Sequence, residues 1–411
     1  MDAAPVATDP SNPNNILVGS NDRNCGFEGE PSLGFLTSPD GGSSWNQYCM
    51  PGRTFKGQGY TPGEEPILGY DLNGTAYIAG WYVDSNSGST VALEAFEKSS
   101  DGVHWTLPAR AVYLKDYFPN CGWLAVDTSI ASPYVNSVYI ACSMTGSFGN
   151  GRYNQMLVSH SNDGGATWHQ VDVARRQVFP AQDLFESVTV GRDGTIYLTW
   201  EYCYSNVSCF NGPVSMVFSK SSDGGNTWSK PTLVAPVTLI YPLPNGPLHS
   251  YAANTPVIGV DSSTGRHVGN LYVAMYNWTG TFMQVLVARS TDGGATWSKA
   301  VPVAPGFTHD QFLPWLSVSS TGLVGVMWLD RRNDPANTSY QAFAAISADG
   351  GLSFQPNVQL TQNLSNPNVG GLGTASYNGA AWDGPNYFLA SWMEVTGPVD
   401  TQDFVGGIRL K

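Results

Sequence analysis

Apolar residues in this chain fall in short runs that come in pairs. An apolar run, a turn rich in Gly, Asp and Asn, and a second apolar run recur seven times: 5–8 with 16–18, 66–70 with 76–81, 123–126 with 138–142, 187–190 with 196–200, 257–260 with 271–275, 315–318 with 324–328, and 380–382 with 387–392. Runs this short, bounded by turn residues and rich in β-branched and aromatic side chains, predict strands joined as hairpins. No stretch shows a sustained helical period, and none approaches the ~18 consecutive apolar residues of a membrane span. The pattern predicts an all-β chain.

A second repeat is interleaved with the first. Ser-x-Asp-Gly-Gly-x-x-Trp occurs at 38–45, 161–168, 221–228 and 290–297; the copy at 99–105 is one residue shorter, and the copy at 347–354 ends on Phe354. The box aspartates Asp40, Asp101, Asp163, Asp223, Asp292 and Asp349 are 61, 62, 60, 69 and 57 residues apart. The residue types explain the motif: glycines allow the positive φ of a tight turn, Asp and Ser bond turn backbone groups, and the aromatic anchors the next strand. A fixed period of this length marks a repeat architecture. Seven hairpins in 411 residues leave about 59 residues each, close to the box spacing. The expectation is a β-propeller of four-stranded antiparallel blades, 1–411 as one domain, with seven blades favoured over six and the last blade incomplete.

The boxes resemble those of the sialidase-like Asp-box (BNR repeat) propeller superfamily. That resemblance implies the propeller fold and a sugar-directed site. Sialidases of this group are six-bladed, with three arginines on the sialic acid carboxylate, an Asp acid and a Tyr–Glu nucleophile pair. One of those arginines precedes the first box in a Phe/Tyr-Arg-Ile/Leu-Pro motif. Here that region reads Ala3-Ala4-Pro5-Val6-Ala7-Thr8, without arginine, so the catalytic residues do not carry over. Seven-bladed relatives of the same fold include glycosidases and polysaccharide lyases acting on uronic-acid polymers.

Charge narrows the partners. The formal net charge is −13 with 19 Lys and Arg scattered along the chain, which repels a phosphate backbone and argues against nucleic acid. The six cysteines fall into three local pairs, Cys25 with Cys49, Cys121 with Cys142 and Cys203 with Cys209, in no zinc-like spacing. Disulfides, and therefore a secreted protein whose export signal has been removed, are the expectation. Asn73, Asn206, Asn277, Asn337 and Asn363 stand in glycosylation sequons. No cofactor motif is present; Asp- and Asn-rich loops leave room for a structural calcium on composition alone.

Meander topology then separates two rims. Box turns join third to fourth strands at one rim, so the box aspartates are scaffold. The opposite rim gathers first-strand starts and second-strand ends. There the expected catalytic candidates are Glu65, Glu186, Glu201, Asp310 and His309, and the expected substrate-binding candidates are Arg331, Arg332, Asp330, Tyr251, His249, Trp278 and Arg23. Glu64, Asp183, Asn254, Asp22, Tyr202 and Glu394 share that rim. Carboxylic acids run acid–base chemistry, arginines clamp carboxylates, and aromatic faces stack on sugars. A glycoside hydrolase would use two of the carboxylates. A lyase on uronic-acid glycans would cast Arg331, His309 or His249, and Tyr251 as neutraliser, base and acid. A non-catalytic glycan-binding or scaffold propeller is the third reading. Rim residues that differ from blade to blade favour one site over several equivalent ones, and with it an enzyme.

Overall fold

The computed structural model describes residues 4–26, 31–84, 92–106, 109–148, 151–204, 209–240, 243, 254–369, 377–397 and 400–410. Among them there are strands and turns and no α-helix. Seven antiparallel sheets follow one another along the chain, the blades of a seven-bladed β-propeller. In the first sheet the order is Val6–Thr8, Ile16–Asp22, Ser32–Ser38, Asn46–Cys49, each strand beside its predecessor. The fourth, fifth and sixth sheets repeat this four-stranded meander. The seventh has three described strands, Gly379–Asp383, Tyr387–Gly397 and Asp400–Arg409, which agrees with the incomplete last repeat.

The boxes form the turns between third and fourth strands, and their chemistry repeats. In the third sheet Ser161 Oγ donates to Asp163 Oδ1 (2.8 Å), Gly165 N–H to Ser161 Oγ (2.9 Å), Thr167 N–H to Asp163 Oδ1 (2.9 Å) and Trp168 Nε1 to Gly165 O (3.0 Å). The bonds from Thr167, first its hydroxyl, pull the Asp163 carboxyl down to about 2 despite some burial. All three cysteine pairs are disulfides.

The chain divides into two compact units: residues 5–198 with 219–231, and residues 1–4 with 199–218 and 232–411. In the first, apolar faces of successive sheets pack together: Leu17, Leu33 and Phe35 against Leu68 and Ile78, then Ile67, Ala79 and Phe96 against Leu124, Val138 and Ile140. In the second, Phe312 packs edge-on against Tyr340, and Trp328 stacks on Phe343. Ala4 N–H reaches Tyr377 O (3.4 Å), and Ser391 Oγ bonds Ala4 O, so the described N-terminal end sits at the inner strands of the seventh sheet.

Two sheets carry extra edge strands at the rim opposite the boxes. In the second sheet, Gln58–Pro62 and Ile67–Tyr70 both pair with Ala76–Asp84. Pro62 lies opposite Tyr82 and Ile67 opposite Ala79, so five steps on one side face three on the other. The excess bulges out as residues 63–66. In the third sheet Gln177–Val178 pairs with Asn154 and Tyr153, and the inner strand Tyr117–Val126 begins six residues before its apolar run.

Candidate functional site

Within the first unit, three glutamates converge. Glu65 lies in the bulge of the second sheet at φ 62°, half-buried, with its N–H donated to Asn21 Oδ1 (2.7 Å). Glu94, on Ala92–Ser99, stands opposite Trp81, whose own N–H bonds Glu64 O (3.3 Å). The ladder thus sets Glu64 and Glu94 on either side of Trp81. Glu186, on Gln182–Val190 of the fourth sheet, is buried, and its Oε1 accepts from Gly122 N–H (2.8 Å) and Ser143 N–H (3.1 Å).

The third sheet is shaped for that contact. Its first strand has a bulge between Cys121 and Trp123, so Gly122 is released from the ladder and its N–H turns to Glu186. The Cys121–Cys142 disulfide ties the two strands at that step, with Cα atoms 3.9 Å apart. Any Cβ on residue 122 would stand 2.5 Å from the Glu186 carbonyl oxygen, which explains the glycine.

Burial governs the titration of this cluster. It pushes the Glu186 carboxyl up to about 8, against the opposing backbone hydrogen bonds and with help from the charge of Glu65. Burial likewise raises Glu94 well above the carboxylate range, and repulsion from Glu65 and then Glu186 adds to it. Glu94 Oε1 and Glu186 Oε2 have no hydrogen-bond partner among the described residues. Burial therefore favours the neutral form of both buried glutamates, beside a third that is half-buried.

The second unit places its candidates differently. Arg331 is fully buried: Nη1 donates to Asp310 Oδ2 (3.2 Å) and to Asn337 O (3.1 Å), and its guanidinium lies 5.2 Å from the Phe312 ring centroid. Asp310 accepts further from Met283 N–H (2.9 Å) and Asn337 Nδ2 (2.9 Å). The sequon residue Asn337 also takes Asp310 N–H on its Oδ1 (3.0 Å), so its amide serves this clasp. Arg332 bonds Asp330 through Nη2 and Asn357 through Nη1 (3.0 Å), between the rings of Phe307 and Phe343. Both arginines are thus committed to neighbouring carboxylates and rings. Glu201 is buried and raised by that burial, and its charge adds to the burial that raises Tyr276. Asn254 holds the Tyr276 backbone with both amide atoms (2.8 and 3.0 Å).

Of the remaining expected residues, His309 and Trp278 are half-buried and Arg23 is exposed just beyond its strand. His249 and Tyr251 lie outside the described residues. Glu94 was not among the expected site residues; its signal was a charge inside the apolar run Ala92-Leu93-Glu94-Ala95-Phe96 of a charge-poor chain. Among the described residues, the one gathering of potential metal ligands is Glu201 with Cys203 and Cys209, and those sulfurs are joined to each other.

Repeated Asp-box turns on a seven-bladed sheet array, with buried carboxyl groups at the opposite strand ends, define an Asp-box propeller. The chain belongs to the BNR repeat-like domain family, whose profile matches residues 180–386, just over half of it. It is similar to a xyloglucanase of Paenibacillus sp., 24% identical over 347 residues that make up 77% of this chain and 29% of that protein. It is also similar to a sialidase of Micromonospora viridifaciens, 31% identical over 231 residues, 52% of this chain and 33% of that protein. The chain therefore spans a third or less of these relatives. Among solved structures, an ulvan lyase bound to a GlcA(1-4)Rha3S repeat superposes with a TM-score of 0.58 at 12% identity, covering 99% of this chain and 94% of that one. This last likeness is one of fold.

Proposed function

We propose that the protein is a secreted carbohydrate-active enzyme, a glycoside hydrolase, with Glu186 as proton donor and Glu65 as its charged partner. The observation that carries the reading is the convergence of Glu65, Glu94 and Glu186 in one unit, where burial raises Glu94 and pushes Glu186 up to about 8. A neutral carboxylic acid beside a carboxylate is what glycosidic cleavage requires. In the proposed reaction Glu186 Oε2 gives its proton to the leaving oxygen as the bond to the anomeric carbon breaks. Glu65 supports the positive charge that develops there, and water supplies the hydroxyl of the new reducing end while its other proton restores the Glu186 acid. Gly122 and Ser143 N–H groups hold Glu186 Oε1, which leaves Oε2 the atom that carries the proton. Names of the curated relatives support a glycan substrate, and the three disulfides support an oxidising, extracellular setting.

The test is turnover on a panel of xyloglucan, sialyl conjugates and uronic-acid polysaccharides, reading new reducing ends and the ultraviolet absorbance of unsaturated uronates together. The hydrolase reading expects reducing ends without that absorbance, and a loss of about 10²–10⁴ in kcat for Glu186→Gln. Absorbance with each cleavage would establish a lyase instead. Silence across the panel would move the protein to the glycan-binding class.

A further inference from the structure

The first unit carries a second feature on the same rim that neither the carboxylate cluster nor the boxes use. Arg152, Arg175 and Arg176 are all exposed there, and none forms an ion pair with a described residue. Two of them lie over rings: the Arg152 guanidinium carbon is 5.0 Å from the Phe179 centroid, and that of Arg176 is 4.7 Å from the Tyr153 centroid. Beside them Phe179 is 48% and Val178 61% exposed. Three exposed cations, none in an ion pair with a described residue, stand beside two open apolar side chains on a chain of net charge −13. The counter-charge that registers is Asp172, whose carboxyl burial raises and Arg176 draws back down.

We infer that Arg152, Arg175 and Arg176, with the faces of Phe179 and Tyr153, form a binding platform for a polyanionic polysaccharide, outside the cluster that would cleave it. Cation–π contacts keep the Arg152 and Arg176 guanidinium groups beside these rings, and a guanidinium can meet a carboxylate or sulfate in two parallel bonds. Apolar ring faces beside those groups suit the C–H faces of sugar rings. Three cations grouped on paired segments of one sheet match a polymer that repeats its charge along the chain, not a single neutral sugar.

The platform is also built into the candidate site. Gln177 and Val178 pair with Asn154 and Tyr153. Gln177 Nε2 donates to Asp183 Oδ2 (3.2 Å), and Asp183 N–H donates to Asn154 Oδ1 (2.7 Å). Asp183 precedes Glu186 by three residues on one strand, roughly 10 Å along it at the usual rise. A polymer held on the platform therefore lies within a few sugar units of Glu186. This inference rests on the carbohydrate reading above but not on the catalytic role of Glu186.

Affinity electrophoresis of the full chain in gels containing polygalacturonate, or neutral dextran of equal length, tests it. Wild type is expected to be retarded by polygalacturonate alone, less so as salt rises. The triple variant Arg152→Ala, Arg175→Ala, Arg176→Ala should weaken that binding at least about ten-fold. Phe179→Ala should weaken it with the salt dependence kept. Arg175→Glu alone, at an exposed side chain, gives the same direction should the triple variant not fold. Glu186→Gln should bind as wild type does, so a failed catalytic reading leaves this result standing. Equal retardation by dextran, no retardation by polygalacturonate, or unchanged binding in Arg175→Glu and in a folded triple variant would overturn the platform.

Discussion

Glu65 holds a backbone conformation, φ 62°, in which a Cβ is strained and glycine is not. For an ordinary residue that conformation costs about 1 kcal/mol relative to glycine. Strain kept at a residue that also faces two buried carboxyls points to function at that residue. Glu65→Gly is therefore expected to raise the unfolding free energy by up to about 1 kcal/mol while removing turnover. Glu65→Gln keeps the strain and should lose turnover without that gain. Urea unfolding beside an activity assay on both variants reads the separation; a Glu65→Gly enzyme that stays active would remove Glu65 from the site. Gly122 is constrained for the opposite reason, because a Cβ there meets the Glu186 carbonyl at 2.5 Å. Gly122→Ala should displace Glu186 and lower kcat more than stability, measured by the same pair of assays.

At the scale of elements, the local devices were legible in the sequence and the cross-sheet ones were not. Box turns, hairpin pairs and the three disulfides each join residues that are near in sequence, so residue type and spacing suffice to predict them. Glu65 and Glu186 were legible as strand-start carboxylates. Their company with Glu94 was not, because it depends on a two-residue bulge at 63–66 and on the pairing of Trp81 with Glu94. Arg331 and Arg332 read in sequence as a carboxylate clamp, yet the fold buries both against Asp310, Asp330 and aromatic rings. The platform arginines carry no sequence signal, because no motif marks a side chain that merely lies over a ring. Two variants separate scaffold from site at this scale. Asp163→Ala removes the acceptor of three box bonds and should cost about 1–2 kcal/mol with kcat unchanged. Replacing Cys121 and Cys142 together by Ser opens a closure 21 residues apart, at a cost of about 3 kcal/mol. Because that bond sits at the bulge that aims Gly122 at Glu186, the double variant should also lose turnover while folded, which denaturation and kinetics at low temperature would show.

Across the whole chain these titrations pull stability in opposite directions. Glu186 is raised to about 8 in the fold from an ordinary 4.5, and Glu94 is raised with it, both chiefly by burial. Between those values the unfolded chain releases protons that the folded chain keeps, so stability falls as pH rises from about 4.5 to about 8. The box aspartates act the other way. Asp163, Asp292 and Asp349 are lowered to about 2, so their contribution is complete above the ordinary 3.8 and is lost as pH falls through about 2. Maximal stability is therefore expected on the acidic side, near pH 4, where the buried glutamates keep their protons in the fold and the box aspartates are charged there. Glu186→Gln keeps an acceptor for Gly122 and Ser143 but has no proton to lose. Its stability should match wild type near pH 4 and exceed it increasingly toward pH 8, with the gap growing by up to about 1.4 kcal/mol per pH unit. Urea midpoints of the two proteins across that range measure the gap. A constant gap would mean that Glu186 ionises in the folded chain at an ordinary pH, and it would then have no proton to donate at neutrality.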